Sequence, residues 1–295
     1  MDIVVFGAGS LGSLMGGLLA RAHDVTLVGR EPHVGAVAES GLHISGAVET
    51  TVRPTAATTA PAAADLALVT VKAADTEAAA TALAGMDLDA VLSLQNGMGN
   101  EETLSGRLDC PVLAGTCTYG ARLDGPGEVA CTGVGEVVLG PCEGGQSASA
   151  DRVGAAFDAA GIETTVASDM PRRLWEKLAV NAGINATTAL ARVENGALVD
   201  GPAGETAVAA AREVAHVAQD EGVTLAEADA AAAVMDVAEA TAANTSSMHQ
   251  DVLANRQTEI DAINGYVVDV AEVPVPVNET LTALIRTWET EHGSR

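Results

Sequence analysis

Asp2-Ile3-Val4-Val5-Phe6-Gly7-Ala8-Gly9-Ser10-Leu11-Gly12 decides the fold of the first half of the chain. Residues 2–6 form a short apolar run with β-branched members, so a strand is expected there. Gly7–Gly12 fits G-x-G-x-x-G. Residues from about Ser10 to Arg21 carry a helical pattern, and Val25–Val28 is a second apolar run. Strand, glycine turn, helix and strand in that order open a parallel sheet. The pattern alone would mark only a tight turn. In this context the glycines admit a pyrophosphate, and free helix N–H groups meet its charge. Gly7, Ala8, Gly9, Ser10, Leu11 and Gly12 are therefore candidate dinucleotide-binding residues.

Outward from this unit the pattern stays mixed. A hairpin or irregular strands are expected at Leu42–Ser45 and Glu49–Arg53, a buried strand at Asp65–Val71 and a helix from Asp75 to Leu83. Ala90–Leu94 reads as a strand ending in the loop Gln95–Asn100. The β pattern continues through Val112–Ala121, Gly127–Thr132 and Gly135–Leu139. A helix near Asp151–Ala160 and a strand near Glu163–Val166 follow. Beyond Ala167 strand-like runs vanish, and helices are expected over 170–192, 203–221, 225–240, 247–272 and 277–291. The expected fold class is α/β then all-α: a dinucleotide-binding domain over 1–167 and a helical substrate domain over 168–295.

The second strand bears on the cofactor. It ends Val28-Gly29-Arg30-Glu31. A small residue followed by Arg30 suits the 2′-phosphate of NADP, and Glu31 could instead face the 2′-OH of NAD. NADPH is the favoured cofactor, with NADH left open. Lys72, directly after the strand ending at Val71, is a second cation for the adenosine end.

Composition excludes several classes. The 295 residues carry 15 Lys+Arg against 40 Asp+Glu, a formal net charge of −25. Such a surface repels nucleic acid and anionic membranes. With 48% hydrophobic residues the chain is no disordered acidic tail. No apolar stretch reads as a membrane span and no secretory leader is evident. Four cysteines without a CxxC pair suggest reduced thiols in a cytoplasmic protein and no metal site. The acid-rich, lysine-poor chain suits a cytoplasm with molar salt, as in an extreme halophile.

Lysine occurs only at Lys72 and Lys177. Lys177, Asn181 and Asn185 are spaced i, i+4, i+8 and form one polar stripe on a helix among Leu178, Ala179, Val180 and Ile184. Asparagine is a poor helix residue, so the stripe asks for a reason beyond solvation. A lysine in a partly apolar cleft can serve as a proton donor. Ser247, Asp251 and Glu259 fall within the range of one helix face, although composition alone does not single out Glu259 among 40 acids.

These segments together resemble the ketopantoate reductase (2-dehydropantoate 2-reductase) family. The resemblance rests on Gly7–Gly12, Val71-Lys72-Ala73, Leu94–Asn100, Gly115–Leu123 with Gly125-Pro126-Gly127, Trp175–Leu178 with Asn181 and Asn185, and Ser246–Met248 through Arg256–Gly265. It implies a Rossmann-type domain followed by a helical domain, and NADPH-dependent reduction of 2-dehydropantoate to (R)-pantoate on the route to pantothenate and coenzyme A. By the same resemblance Lys177 is the proton-delivering lysine, and Glu259 orients substrate and lysine. Asn96, Asn181, Asn185 and Ser247 surround substrate and the nicotinamide ribose, and Arg30 and Lys72 meet the 2′-phosphate. Asp75 departs from the family's frequent glutamine. Two other functions stay open: reduction of another branched 2-oxo acid, and non-catalytic NADP sensing. A homodimer and feedback by coenzyme A are partner expectations that the residues do not decide.

Overall fold

The computed structural model describes residues 1–293. Residues 294 and 295, the last two of the expected second domain, lie outside the described residues. The chain divides into two compact units. One comprises Met1–Gln95 with Asn100–Met170. The other comprises Asn96–Gly99 with the chain from Pro171 onward.

The first unit is built on an eight-stranded sheet. Its spatial order is Thr164–Val166, Val137–Pro141, Val112–Cys117, Asp87–Ser93, Ala63–Val69, Asp2–Phe6, Asp24–Val28 and Thr55–Ala57. All neighbours run parallel except Val137–Pro141 against Val112–Cys117. Parallel strands buried on both faces need continuous apolar runs, and Ile3-Val4-Val5 and Leu66–Val69 supply them. Chain order reverses beside Asp2–Phe6, whose neighbours are Asp24–Val28 and Ala63–Val69. Such a switch point, at the carboxyl ends of the strands, is where open α/β sheets bind ligands.

The hairpin Leu42–Gly46 with Thr50–Val52 forms as expected. It belongs to a separate four-stranded sheet with Glu128–Gly133 and Gly120–Gly125. The expected continuous run Val112–Ala121 is therefore divided. Val112–Cys117 stays in the large sheet and Gly120–Gly125 enters the small one. The helices His33–Ser40 and Asn100–Ser105 and the strand Thr55–Ala57 were not legible as elements. All three are short and carry weak periodicity.

The second unit is helical, with Met170–Ala191, Ala203–Asp220, Glu227–Ala240 and Pro276–Glu291 as its long members. Its core joins Trp175, Leu178, Ala179, Val214, Val234, Ile263 and Ile285. The expected helix 247–272 is broken. Ser247–Leu253 ends in a Schellman motif: Asn255 adopts φ 49, Arg256 N donates to Asp251 O at 2.9 Å and Asn255 N to Val252 O at 3.2 Å. The Arg256 guanidinium adds a 3.0 Å bond to the Asp251 carboxylate. Winding resumes as a π-turn, Asp261–Gly265, then Tyr266–Val270. Ser247, Asp251 and Glu259 therefore do not share one helix face. Among the described residues no helix is long and apolar enough to cross a membrane.

Candidate active site

The glycine loop follows the Asp2–Phe6 strand and opens the Ser10–Leu19 helix. Gly7 adopts φ +112, and a Cβ there would lie 2.7 Å from Val71 N. A Cβ on Gly12 would collide with Gly7 O and Thr70 Oγ1. Gly7 and Gly12 thus lie too close to the neighbouring backbone and Thr70 for a side chain. Thr70 Oγ1 donates to Gly7 O at 2.9 Å and fixes that approach. The amides of Gly7 and Ala8 both donate to Val28 O at 2.9 Å, so these two residues shape the turn. The helix beginning at Ser10 has no side-chain cap and no acid in its first turn. Its first N–H groups lack intrahelical acceptors, and the positive end of the helix dipole is uncompensated by side chains. This cradle fits a dinucleotide pyrophosphate. The Ser10 hydroxyl accepts from Leu123 N at 3.1 Å.

At the end of the second strand Arg30 is 89% exposed, and its Nη2 lies 3.5 Å from Asp75 Oδ2. Glu31 turns toward its own helix, where Oε2 accepts from Gly35 N at 3.2 Å. Lys72 is half-buried at the start of the turn Ala73–Asp75. Sequence reasoning missed a buried polar chain nearby. Gln95 Nε2 donates to Val71 O at 3.0 Å and to Thr76 Oγ1 at 2.7 Å, and Thr76 Oγ1 donates to Asn100 Oδ1 at 2.8 Å. It fixes Gln95 and Asn100, the residues on either side of Asn96–Gly99.

In the second unit Lys177, Asn181 and Asn185 lie along the 22-residue helix Met170–Ala191. Lys177 and Asn181 are half-buried, and Asn185 is 6% exposed. Asn96 Nδ2 donates to Glu259 Oε2 at 3.2 Å. The backbone beside that bond is tied as well, with Met98 N donating to Ala262 O at 3.0 Å. A Cβ on Gly97 would fall against Ala262. The loop Gln95–Asn100 was legible, but the packing of its Asn96–Met98 part on the Glu259–Ala262 segment was not.

Ser247 is exposed at the start of its helix. The buried hydroxyl there belongs to Ser246, the helix N-cap, which accepts from His249 N at 3.2 Å and lies 2.7 Å from Thr188 Oγ1. Thr188 is on the Lys177 helix, so this bond docks the Ser247 helix against it. Asn264, fully buried in the π-turn, donates to Ala182 O at 3.0 Å and to Asn278 Oδ1 at 2.9 Å. The π-turn is thereby pinned next to Asn181. π-Turns are frequent where a functional residue must be aimed.

A mostly parallel sheet with a phosphate-type glycine loop, followed in the chain by a helical unit with a lysine–asparagine stripe, defines a Rossmann-type two-unit protein. The family model described as "Ketopantoate reductase PanE/ApbA" matches residues 3–144, and its C-terminal counterpart matches residues 169–289. The chain belongs to the ketopantoate reductase family. It is 44% identical to a 2-dehydropantoate 2-reductase of Halobacterium salinarum, over 97% of this chain and 98% of that one. A PanE/ApbA family ketopantoate reductase from Ralstonia eutropha superposes with a TM-score of 0.90 at 34% identity, covering 99% of this chain and 100% of the other. A D-mandelate dehydrogenase solved with NADH and anilino(oxo)acetate superposes with a TM-score of 0.93 at 25% identity, over 100% of both chains.

Proposed function

We propose that this chain is a 2-dehydropantoate 2-reductase using NADPH. The observation that carries this assignment is the 44% identity to a 2-dehydropantoate 2-reductase across almost the whole chain; the Asn96–Glu259 bond, in the same unit as the Lys177–Asn181–Asn185 stripe, fits it. In this proposal the unit Met1–Gln95 with Asn100–Met170 holds the cofactor, and the unit Asn96–Gly99 with the chain from Pro171 onward holds the substrate. The cofactor supplies hydride when bound. The first-turn amides of Ser10, Leu11 and Gly12 would hold its pyrophosphate. Arg30 and Lys72 would hold the 2′-phosphate, and the engagement of Glu31 with Gly35 N favours NADP over NAD.

Reduction of a ketone adds a hydride at carbon and a proton at oxygen. Lys177 donates a hydrogen bond to the C2 carbonyl oxygen and gives up the proton that becomes the alcohol hydrogen. Solvent then returns a proton to Nζ. Because charge grows on that oxygen along the reaction, an ammonium stabilises the transition state more than the ground state. Glu259, steadied by Asn96, orients the lysine and the substrate. Asn181, Asn185 and Ser247 bind substrate polar groups.

A homodimer and feedback by coenzyme A accompany this proposal. Light scattering tests the first, and competition of coenzyme A with NADPH tests the second. One observation favours a second function, reduction of a different 2-oxo acid: the likeness to D-mandelate dehydrogenase. The deciding experiment follows reduced nicotinamide absorbance near about 340 nm in high KCl. Ketopantoate, 2-oxoisovalerate and phenylglyoxylate are compared, each with NADPH and NADH. Fast NADPH oxidation with ketopantoate supports the proposal. Oxidation only with another 2-oxo acid moves the chain to a paralogous reductase. Cofactor binding without any oxidation leaves an NADP sensor.

A further inference from the structure

Glu289 is a fully buried carboxylate on the Pro276–Glu291 helix, with no part in the chemistry above. A single oxygen, Oε1, accepts from Thr258 N at 2.8 Å and from Thr258 Oγ1 at 2.7 Å. The same Thr258 hydroxyl accepts from Ile260 N at 3.2 Å. Glu289 therefore grips the backbone on both sides of Glu259 through one threonine. The helix adds a second hold one turn earlier, where Arg286 Nε donates to Asp261 Oδ1 at 2.7 Å. Beyond Glu259 the chain is committed to winding, since Ile263 N donates to Glu259 O at 3.1 Å and Gly265 N to Ile260 O at 2.8 Å.

Burying a carboxylate is costly unless charged or polar donors satisfy it. A core position on this helix could have held leucine. An acid there provides directional bonds that an apolar group lacks, and the bonds from Thr258 N and Thr258 Oγ1 converge on the residue preceding Glu259. Glu259 itself is half-buried and held at its carboxylate by Asn96. Its backbone is fixed from one side by the C-terminal helix, and its carboxylate from the other by the Asn96 loop.

We infer that Glu289 and Thr258 are a positioning pair that sets the carboxylate of Glu259 for turnover. This inference rests on the role proposed for Glu259. Neither residue touches the reacting atoms; they act through the Thr258–Ile260 backbone.

The test uses the full-length enzyme and the variants Thr258→Val, Thr258→Ser, Glu289→Ala, Glu289→Gln, Glu259→Ala and the double variant Glu259→Ala with Glu289→Ala. Thr258→Val keeps the shape of the side chain and loses the hydroxyl. Misplacement of a reacting group can cost about 100-fold, so Thr258→Val and Glu289→Ala are expected to lower kcat/KM for ketopantoate about 10- to 100-fold. The NADPH Kd, read by binding rather than turnover, is expected to stay unchanged. Thr258→Ser and Glu289→Gln keep a hydroxyl and an acceptor oxygen and should recover most of the loss. In the Glu259→Ala background, Glu289→Ala should cost nothing further, because the group being positioned is gone.

Equal losses from Glu289→Ala in both backgrounds would overturn the inference and leave a purely structural clamp. So would full activity of Thr258→Val, or a kcat/KM loss matched by weaker NADPH binding. Should Glu289→Ala fail to fold, Thr258→Val against Thr258→Ser still decides the matter. Failure of the functional assignment looks different: the unaltered enzyme does not reduce ketopantoate, or Glu259→Ala costs nothing, and the positioning role falls with it.

Discussion

Asn96 and Glu259 are 163 positions apart in sequence, and the Asn96 side-chain amide donates to the Glu259 carboxylate at 3.2 Å. A neutral amide serving a carboxylate makes a charge-assisted bond, worth about 1.5–3 kcal/mol in typical cases. Asn96→Ala is expected to lower kcat/KM about 10- to 100-fold while fold and NADPH affinity persist. Steady-state kinetics beside a binding titration would check this. Unchanged kcat/KM would remove Asn96 from the site.

Lys177 gives a steeper expectation. General acid catalysis typically contributes about 100- to 10,000-fold, so Lys177→Ala should lose rate in that range. Cofactor binding should survive, because the glycine loop belongs to the other unit. Single-turnover absorbance with enzyme in excess measures the chemical step. A loss confined to KM would assign the lysine to substrate binding instead.

Gly12→Ala tests the cradle. The added methyl would strike Gly7 O and Thr70 Oγ1, both fixed by the Thr70–Gly7 bond. Overpacking of this kind costs about 1–3 kcal/mol. We expect at least about tenfold weaker NADPH binding by calorimetry, converted from the lower part of that range. Binding equal to that of the unaltered protein would place the pyrophosphate elsewhere.

His33 gives the first unit a dependence on pH. Its Nδ1 accepts from Gly127 N at 3.1 Å, so Nε2 carries the proton and donates to Ser13 Oγ at 2.9 Å. Burial pushes its pKa below the ordinary 6.5, with partial offset from the Gly125 carbonyl. The unfolded chain therefore takes up a proton that the folded chain refuses. Stability from this group is full above pH 6.5 and declines as pH falls through the interval down to the lowered folded value. Denaturant melts between neutral pH and pH 5 should show a shallower slope in His33→Gln than in the parent. Identical slopes would exclude His33 as a contributor.

The net charge of −25 predicts a salt requirement. Screening contracts from about 10 Å at 0.1 M to about 3 Å at 1 M, which relieves self-repulsion of the folded state. Activity and melting temperature should both rise with KCl from about 0.1 M to a few molar. A fall across that range would refute halophilic adaptation.

The first strands, the glycine loop and the Lys177 stripe were legible because each is local: alternation, spacing or a single turn carries them. Glu259 was not legible from residue pattern. Its significance depends on Asn96, and a contact over 163 positions leaves no periodic trace. Resemblance pointed to it where composition could not. The break after Leu253 had one faint signal, Asn255, a residue that tolerates the left-handed conformation closing a helix. An uninterrupted apolar pattern on either side outweighed it. Thr258 and Glu289 gave no signal, because a threonine and one acid among forty are unremarkable until burial is known.

The backbone passes from one unit to the other three times, after Gln95, after Gly99 and after Met170. No single cut can therefore yield two whole fragments. A piece beginning at Pro171 would leave Ala262 without the Met98 amide and Glu259 without its Asn96 donor. Recombination faces the same obstacle. A chimera joined between relatives at one point near residue 170 would pair Asn96–Gly99 from one parent with the Glu259–Ala262 segment of the other. Four residues thus make inheritance of the two halves a joint affair.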